Sequence, residues 1–249
     1  MRSFLTPTLC FCAALLAASP TLSMGADAAI ATAPTVAMPS ATDLAKVITV
    51  NNIQFNNAVS DPFIHNDWMV MRIDMLATAI LSSAQIQALN DVEPSNQNAI
   101  WLDGVSCTVT LGWGIMGAKA QVDMAVSSTV KLAPMRLGNT CSLFFLVPPE
   151  ILQRGIRGTL VNSRTPPTFY VIQFSIGSTA LQPSNLGVSG VLQGNRAYVD
   201  GFLQAAAAKL PLFDGGLIPG PQAPFYVYQL ALQNAPMPIA SILMPQVQK

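Results

Sequence analysis

Charged residues are scarce in this sequence of 249 residues. Asp, Glu, Lys and Arg make up 10% of the chain, and twelve basic residues balance twelve acidic ones. A nucleic-acid-binding protein needs a basic surface to neutralise phosphates, and a protein that binds anionic lipids needs a basic segment. The composition therefore argues against both classes, while the 51% of apolar residues argues against a disordered chain.

Histidine is almost absent, which limits the chemistry the chain can perform. His65 is the only histidine, so any Ser-His-Asp or Cys-His mechanism would have to use it. It lies in a stretch that reads as a loop before a strand, and the chain has no G-x-S-x-G motif. We therefore predict no catalytic residues, no metal site and no cofactor. His65 remains a candidate binding residue, because loops often carry binding surfaces.

Residues 1–28 have the features of a secretory signal peptide. Arg2 supplies the positive charge, residues 9–18 form a short apolar run, and residues 26–28 (Ala-Asp-Ala) match an A-x-A cleavage site. The run is about half of the ~20 residues that a membrane span requires, which disfavours an anchor. We expect a periplasmic or extracellular protein without an integral membrane segment after cleavage. Residues 29–45, rich in Ala, Pro, Thr and Ser, predict a flexible lead-in.

Two cysteines, Cys107 and Cys141, remain after such a cleavage. In an oxidising compartment, a pair of cysteines usually forms a disulfide. Both lie on the apolar face of a predicted strand, so we predict a buried Cys107–Cys141 disulfide; the alternative is two buried free thiols.

Alternating apolar and polar residues dominate the body of the chain, 46–232. In residues 68–76, four apolar side chains share one face and Arg72 and Asp74 lie on the other, as in a half-buried strand. Asn195 can cap a helix reaching about residue 210. Residues 233–249 are a proline-containing tail. The predicted strands are 47–55, 68–76, 105–115, 122–132, 141–147, 157–161, 168–176 and 225–232, with further short helices at 82–89 and 151–154.

Three tryptophans, Trp68, Trp101 and Trp113, are the aromatic candidates for a sugar-binding surface. Trp113 shares the apolar face of its strand and is expected in the core. Trp101 is the best candidate for exposure, and Asp103 beside it is either a binding residue or a turn residue at the start of a strand.

Several short motifs resemble uncharacterised secreted immunoglobulin-like proteins of Verrucomicrobia-type bacteria, some of them encoded beside type IV pilus assembly genes. The resemblance covers roughly residues 50 to 230. It implies an immunoglobulin-like fold but transfers no functional residue. The motifs that carry it are residues 66–68 (Asn-Asp-Trp), 101–105 (Trp-Leu-Asp-Gly-Val), 108–113 (Thr-Val-Thr-Leu-Gly-Trp), 147–151 (Val-Pro-Pro-Glu-Ile) and 219–225.

These observations predict a mainly β protein, an immunoglobulin-like antiparallel β-sandwich with two or three short helices. We expect a non-catalytic structural or protein-binding module with protein partners in the cell envelope, as part of an envelope or pilus-like assembly. The alternative is a carbohydrate-binding module that uses exposed aromatic residues. A hydrolase with an unrecognised site is the third interpretation.

Overall fold

The chain is described by a computed structural model that covers residues 47–60, 67–78, 101–154, 165–181, 187–232 and 242–243. The predicted signal peptide (1–28), the lead-in (29–45), the short helix at 82–89, the strand at 157–161 and His65 lie outside the described residues. The strands are β1 (Ile48–Ser60), β2 (Asp67–Ala77), β3 (Trp101–Leu102), β4 (Val105–Met116), β5 (Ala120–Leu132), β6 (Met135–Arg136), β7 (Thr140–Val147), β8 (Phe169–Ile176), β9 (Thr179–Ala180), β10 (Ile218–Pro219) and β11 (Ile242–Leu243).

These strands form an antiparallel β-sandwich, which confirms the predicted fold class. The first sheet has the order β1-β2-β7-β10, and the second has the order β11-β5-β4-β8-β9. A separate ribbon joins β3 to β6. The described α-helices are α1 (Pro149–Arg154), α2 (Arg196–Ala207) and α3 (Phe225–Leu232).

The core between the two sheets is built from the alternating residues that the sequence indicates. From the first sheet, Met69, Met71, Ile73 and Met75 of β2 are buried, so this methionine-rich row is core packing. From the second sheet, alternate residues of β4 contribute, including Trp113, which the sequence also places inside.

Helix α2 covers the outer face of the second sheet. Asn195 caps it as predicted, because its side-chain oxygen accepts a hydrogen bond from the backbone N–H of Ala197 at 3.0 Å. Phe202 stacks on Phe169 of β8, with ring centroids 5.3 Å apart. It also lies over Gly112 of β4, where an added Cβ would come within 2.5 Å of the Phe202 ring. Glycine at 112 therefore lets the helix approach the sheet.

We expect Gly112→Ala to lower the free energy of unfolding by about 1–3 kcal/mol, because the added methyl group overpacks this contact. Combining it with Phe202→Leu should cost less than the sum of the two single changes, since the smaller side chain vacates the contested space. Urea unfolding of the two single variants and the double variant measures this coupling. Additive effects would show that the two residues do not compete for space.

Residues 225–232 form helix α3, so the predicted aromatic strand at this position is wrong. The helix lies on the outer face of the first sheet, where Val227 and Ala231, one helical turn apart, are buried against Trp68 of β2 and Phe144 of β7. A segment this rich in aromatic residues has no clear period of its own, and burial against the sheet decides its conformation.

Strand β2 is buried on both faces, which corrects the prediction of a half-buried strand. Arg72 and Asp74, expected on a solvent-facing side, are themselves buried. In the tail after residue 232, Ile242–Leu243 forms β11 and pairs with β5, so part of that segment belongs to the second sheet.

Candidate functional site

Trp101 and Asp103 lie on the β3–β6 ribbon and the turn that follows it. Leu102 and Met135, which are Cα partners across the ribbon, are buried and anchor one side of it. Trp101 is 43% exposed and is the register partner of Arg136, a neighbour that the sequence analysis missed. The predicted exposure of Trp101 is therefore confirmed.

Asp103 is exposed in the short connection between β3 and β4, which agrees with its interpretation as a turn residue at the start of a strand. Its carboxylate accepts a hydrogen bond from the backbone N–H of Gly104 at 2.6 Å. Gly104 has φ of +69°, a left-handed conformation that favours glycine. Trp101 and Asp103 are two residues apart, at the end of the ribbon and directly after it, and both are exposed, whereas the third candidate, His65, lies outside the described residues.

Both described cysteines are free thiols, so the predicted Cys107–Cys141 disulfide is not present in the structure. Cys107 of β4 is completely buried, and Cys141 of β7 packs partly buried against the same core, so both face inward as predicted. They belong to different sheets, however, and the thiol of Cys141 donates to the sulfur of Met135 at 3.9 Å.

The burial of the two thiols predicts slow alkylation. Burial raises the pKa of the Cys107 thiol, and burial together with the nearby Asp74 carboxylate raises the pKa of Cys141 to about 11. Because the thiolate is the nucleophile, native protein at pH 8 should react slowly at Cys141 and not at Cys107 until it unfolds. Mass spectrometry of the alkylated protein, without reduction, measures how far each thiol has reacted. Recovery of a cross-linked peptide would contradict it and support the disulfide.

A buried polar network crosses the outer face of the first sheet. Arg72 Nε donates to Asp74 Oδ1 at 2.8 Å, and Arg72 Nη2 donates to Oδ2 at 2.6 Å, a two-pronged ion pair within β2. Ser142 Oγ of β7 donates to Oδ1 at 2.6 Å, and Asn52 Nδ2 of β1 donates to Oδ2 at 3.2 Å. The Asp74 carboxylate therefore ties together three neighbouring strands of this sheet.

This network is built to hold strands rather than to react. The four donated hydrogen bonds occupy the roughly four acceptor positions of a carboxylate, which leaves no lone pair for a substrate or metal. Burial alone would raise the pKa of Asp74, but the hydrogen bonds from Arg72 and Ser142 outweigh it and hold the pKa below its ordinary value. A general acid or base works best with a pKa near the working pH, so Asp74 is unsuited to that role.

The lowered pKa of Asp74 makes its contribution to stability dependent on pH. Because the folded-state pKa lies below the unfolded one, the contribution is fully present above about pH 4 and is lost as the pH falls through the folded-state value. We expect the free energy of unfolding of the native protein to fall in that acidic range more steeply than that of Asp74→Asn, which cannot ionise. Urea titrations between pH 2 and about pH 6 measure the difference; parallel curves would contradict it.

Strand β1 is an edge strand of the first sheet, and it differs from the other edge strands of the two sheets. Among the described residues it pairs with β2 alone, over the range Ile48–Ser60. Its thirteen residues, ITVNNIQFNNAVS, include no charged residue, proline or glycine. The other three outer strands, β9, β10 and β11, have two residues each. Short strands, charges and proline protect natural sheet edges, and β1 has none of these features, although two register shifts interrupt its pairing with β2.

Two further patterns do not form a site in the described part of the chain. Residues 112–117 (GWGIMG) have the G-x-G-x-x-G spacing, which the sequence analysis missed, but this stretch continues β4 into a hairpin with β5. A dinucleotide site needs that spacing at a turn from a strand into a helix. Within the described ranges, no group of three or more His, Cys, Asp or Glu side chains could hold a metal ion.

Comparison with known proteins shows similarity at the level of the fold. No protein-family profile matches the chain, and no curated protein matches it. Among solved structures, a crystal structure of a protein from Akkermansia muciniphila matches with a TM-score of 0.50 and 9% sequence identity, over 80% of this chain and 93% of that chain.

Akkermansia muciniphila belongs to the Verrucomicrobia. At 9% identity the likeness concerns the arrangement of strands and transfers no residue role. Of the helices that the structure describes, none combines the length and apolar character needed to span a bilayer.

Proposed function

We propose that this protein is a non-catalytic structural or protein-binding module of the bacterial cell envelope, periplasmic or extracellular, which binds its partner by strand addition. A pilus-like assembly is the proposed setting. The observation that carries the proposal is the edge of β1 that pairs with no other strand in the described ranges, thirteen residues long and without charge or proline. Such an edge offers a row of backbone N–H and C=O groups to an added strand.

The polar network supports this function because it fixes β1 to the sheet from within. Asn52 of β1 donates to Asp74, which Arg72 and Ser142 hold in place. On the inner face, Phe55 of β1 contacts Tyr170 of the second sheet, with ring centroids 5.7 Å apart. A strand that is fixed on both faces presents its edge in a preorganised form, which lowers the entropic cost of binding.

A pull-down from envelope extracts tests this proposal by comparing the proteins that the native protein captures with those that a β1 edge variant captures. Gln54→Lys puts a positive charge in the middle of β1, a substitution of the kind that blocks edge pairing. Thr179→Lys adds the same charge to the exposed, two-residue edge strand β9 and serves as the matched control. We expect specific partners to be lost with Gln54→Lys and kept with Thr179→Lys. Equal capture by both variants would show that β1 is not the binding edge.

A carbohydrate-binding module is the second candidate, favoured by one observation. Trp101 is 43% exposed, and its register partner is Arg136. An exposed indole can stack on the apolar face of a sugar ring. Titration with envelope polysaccharides, followed by tryptophan fluorescence, tests this: binding that Trp101→Ala abolishes without changing the fold would favour the carbohydrate function over the protein-binding one.

A further inference from the structure

We propose that the strand which pairs with β1 is β1 of a second copy of this chain, aligned antiparallel about a two-fold axis at Gln54. The two four-stranded sheets would then join into one continuous eight-stranded sheet. This inference rests on the proposed function, since it names the partner of the same edge.

The sequence of β1 reads nearly the same in both directions around Gln54. Residues 51–57 are Asn-Asn-Ile-Gln-Phe-Asn-Asn. When two such strands are aligned antiparallel about Gln54, asparagine is opposite asparagine at four positions, and Ile53 of each copy is opposite Phe55 of the other. A two-fold interface requires such self-complementarity, because each residue meets its symmetry-related partner position. A strand that binds an unrelated protein has no need of this symmetry.

All of this symmetric segment except its first residue, Asn51, pairs regularly with β2. The pairing of β1 with β2 has register shifts between Val50 and Asn52 and between Asn57 and Val59. Between them, residues 52–57 pair without interruption, and this stretch includes the symmetry centre. The backbone there is extended and evenly paired, as an added strand requires.

The side chains near the axis fit a second copy on both faces of the sheet. Ile53 and Phe55 pack against the central core but remain only partly buried, so each copy would cover the apolar surface that the other leaves open. Gln54 lies at a register position opposite Arg72, on the face that carries the polar network. Since β1 has no charged residue, two copies meet without repulsion between like charges in the strand itself.

Site-specific cross-linking of the purified protein tests the register as well as the contact. In Gln54→Cys the introduced thiols would face each other across the axis, within about 5 Å between Cβ atoms. In the control Thr49→Cys, at an exposed position of the same strand, the two thiols would be ten residues apart, or about 33 Å. A short bismaleimide should therefore cross-link Gln54→Cys into a dimer and leave Thr49→Cys and the native protein monomeric on a denaturing gel.

A charge exchange provides the second test. Gln54→Glu and Gln54→Lys would each place like charges opposite one another at the axis, so each variant alone should dimerise about fivefold more weakly than the native protein. An equimolar mixture of the two should recover dimers, because opposite charges then meet. Sedimentation equilibrium measures all three samples, and circular dichroism verifies that both variants fold.

The outcomes separate failure of the self-pairing from failure of the proposed function, which is partner binding by strand addition at β1. A native dimer, a cross-link at position 54 only and recovery in the mixture support the two-fold pairing. A native monomer, or cross-linking at position 49 instead of 54, overturns it. If the protein is monomeric and Gln54→Lys still loses envelope partners, the self-pairing fails and the proposed function stands. If the protein is monomeric and the partners are unaffected, both fail.

Discussion

Replacing Asp74 with alanine should lower the free energy of unfolding by about 3–5 kcal/mol, among the largest effects expected of a single substitution in this protein. The change removes the carboxylate that Arg72, Ser142 and Asn52 donate to, and it breaks the ion pair between that carboxylate and the buried Arg72 guanidinium. Removing one partner of a buried ion pair exposes the full desolvation cost of the other. Chemical unfolding followed by circular dichroism measures the loss.

An exposed ion pair in the same molecule provides the control. Arg196 and Asp200 of helix α2 are 3.8 Å apart and solvent-exposed, so Asp200→Ala should change stability by no more than the error of the measurement. The double change Arg72→Met with Asp74→Leu removes both buried charges together and should recover much of the stability lost in Asp74→Ala. A small effect of Asp74→Ala would show that the network contributes little to holding the sheet.

The alternation of side chains in β4, β5, β7 and β8 predicted these strands to within two residues at each end. Their inward-facing positions form the core expected from the sequence. The helix beginning after Asn195 was also predictable, because its cap is local. Such features depend on residues close together in the chain, so the sequence alone contains the information.

Features that depend on tertiary contacts were not predictable. Arg72 and Asp74 look solvent-facing in the sequence because charged residues are usually exposed. Their mutual ion pair and the hydrogen bonds that Ser142 and Asn52 donate to Asp74 compensate for their burial. Helix α3 was predicted as a strand because aromatic and β-branched residues favour strands, and burial of Val227 and Ala231 against the outer face of the first sheet selects the helix instead.

The candidate site illustrates the same limit. Trp101 and Asp103 were identified from their residue types and their place in the sequence, and in the structure Trp101 is an exposed residue of β3 and Asp103 follows that strand. Strand β1 was predicted only as a short strand. Its importance comes from its position at the edge of the first sheet, where β2 is the one described strand that pairs with it. The order of strands is set by long-range pairing, which the local sequence pattern does not contain.

The second large effect is expected from a charge placed in the core. Val109 is completely buried on β4, the strand that pairs with both β5 and β8. Val109→Asp would bury an unpaired carboxylate, which costs several kcal/mol, comparable with the total stability of about 5–15 kcal/mol of an ordinary domain. We expect the variant to be misfolded, with loss of the native circular dichroism spectrum and rapid proteolysis.

Two further variants, Thr108→Asp and His65→Ala, distinguish loss of folding from loss of function. Thr108→Asp changes the neighbouring residue on the opposite face, where the hydroxyl contacts that of Thr129 at 2.9 Å in an exposed position, so the variant should fold. His65→Ala should also fold and should keep partner binding, since a structural or binding module has no need of an imidazole for catalysis. The expected order is that the core variant fails by misfolding while the other two behave like the native protein. If His65→Ala abolished function in a folded protein, the binding-module proposal would give way to a catalytic or metal-binding role, because every histidine-dependent mechanism in this chain must use that residue.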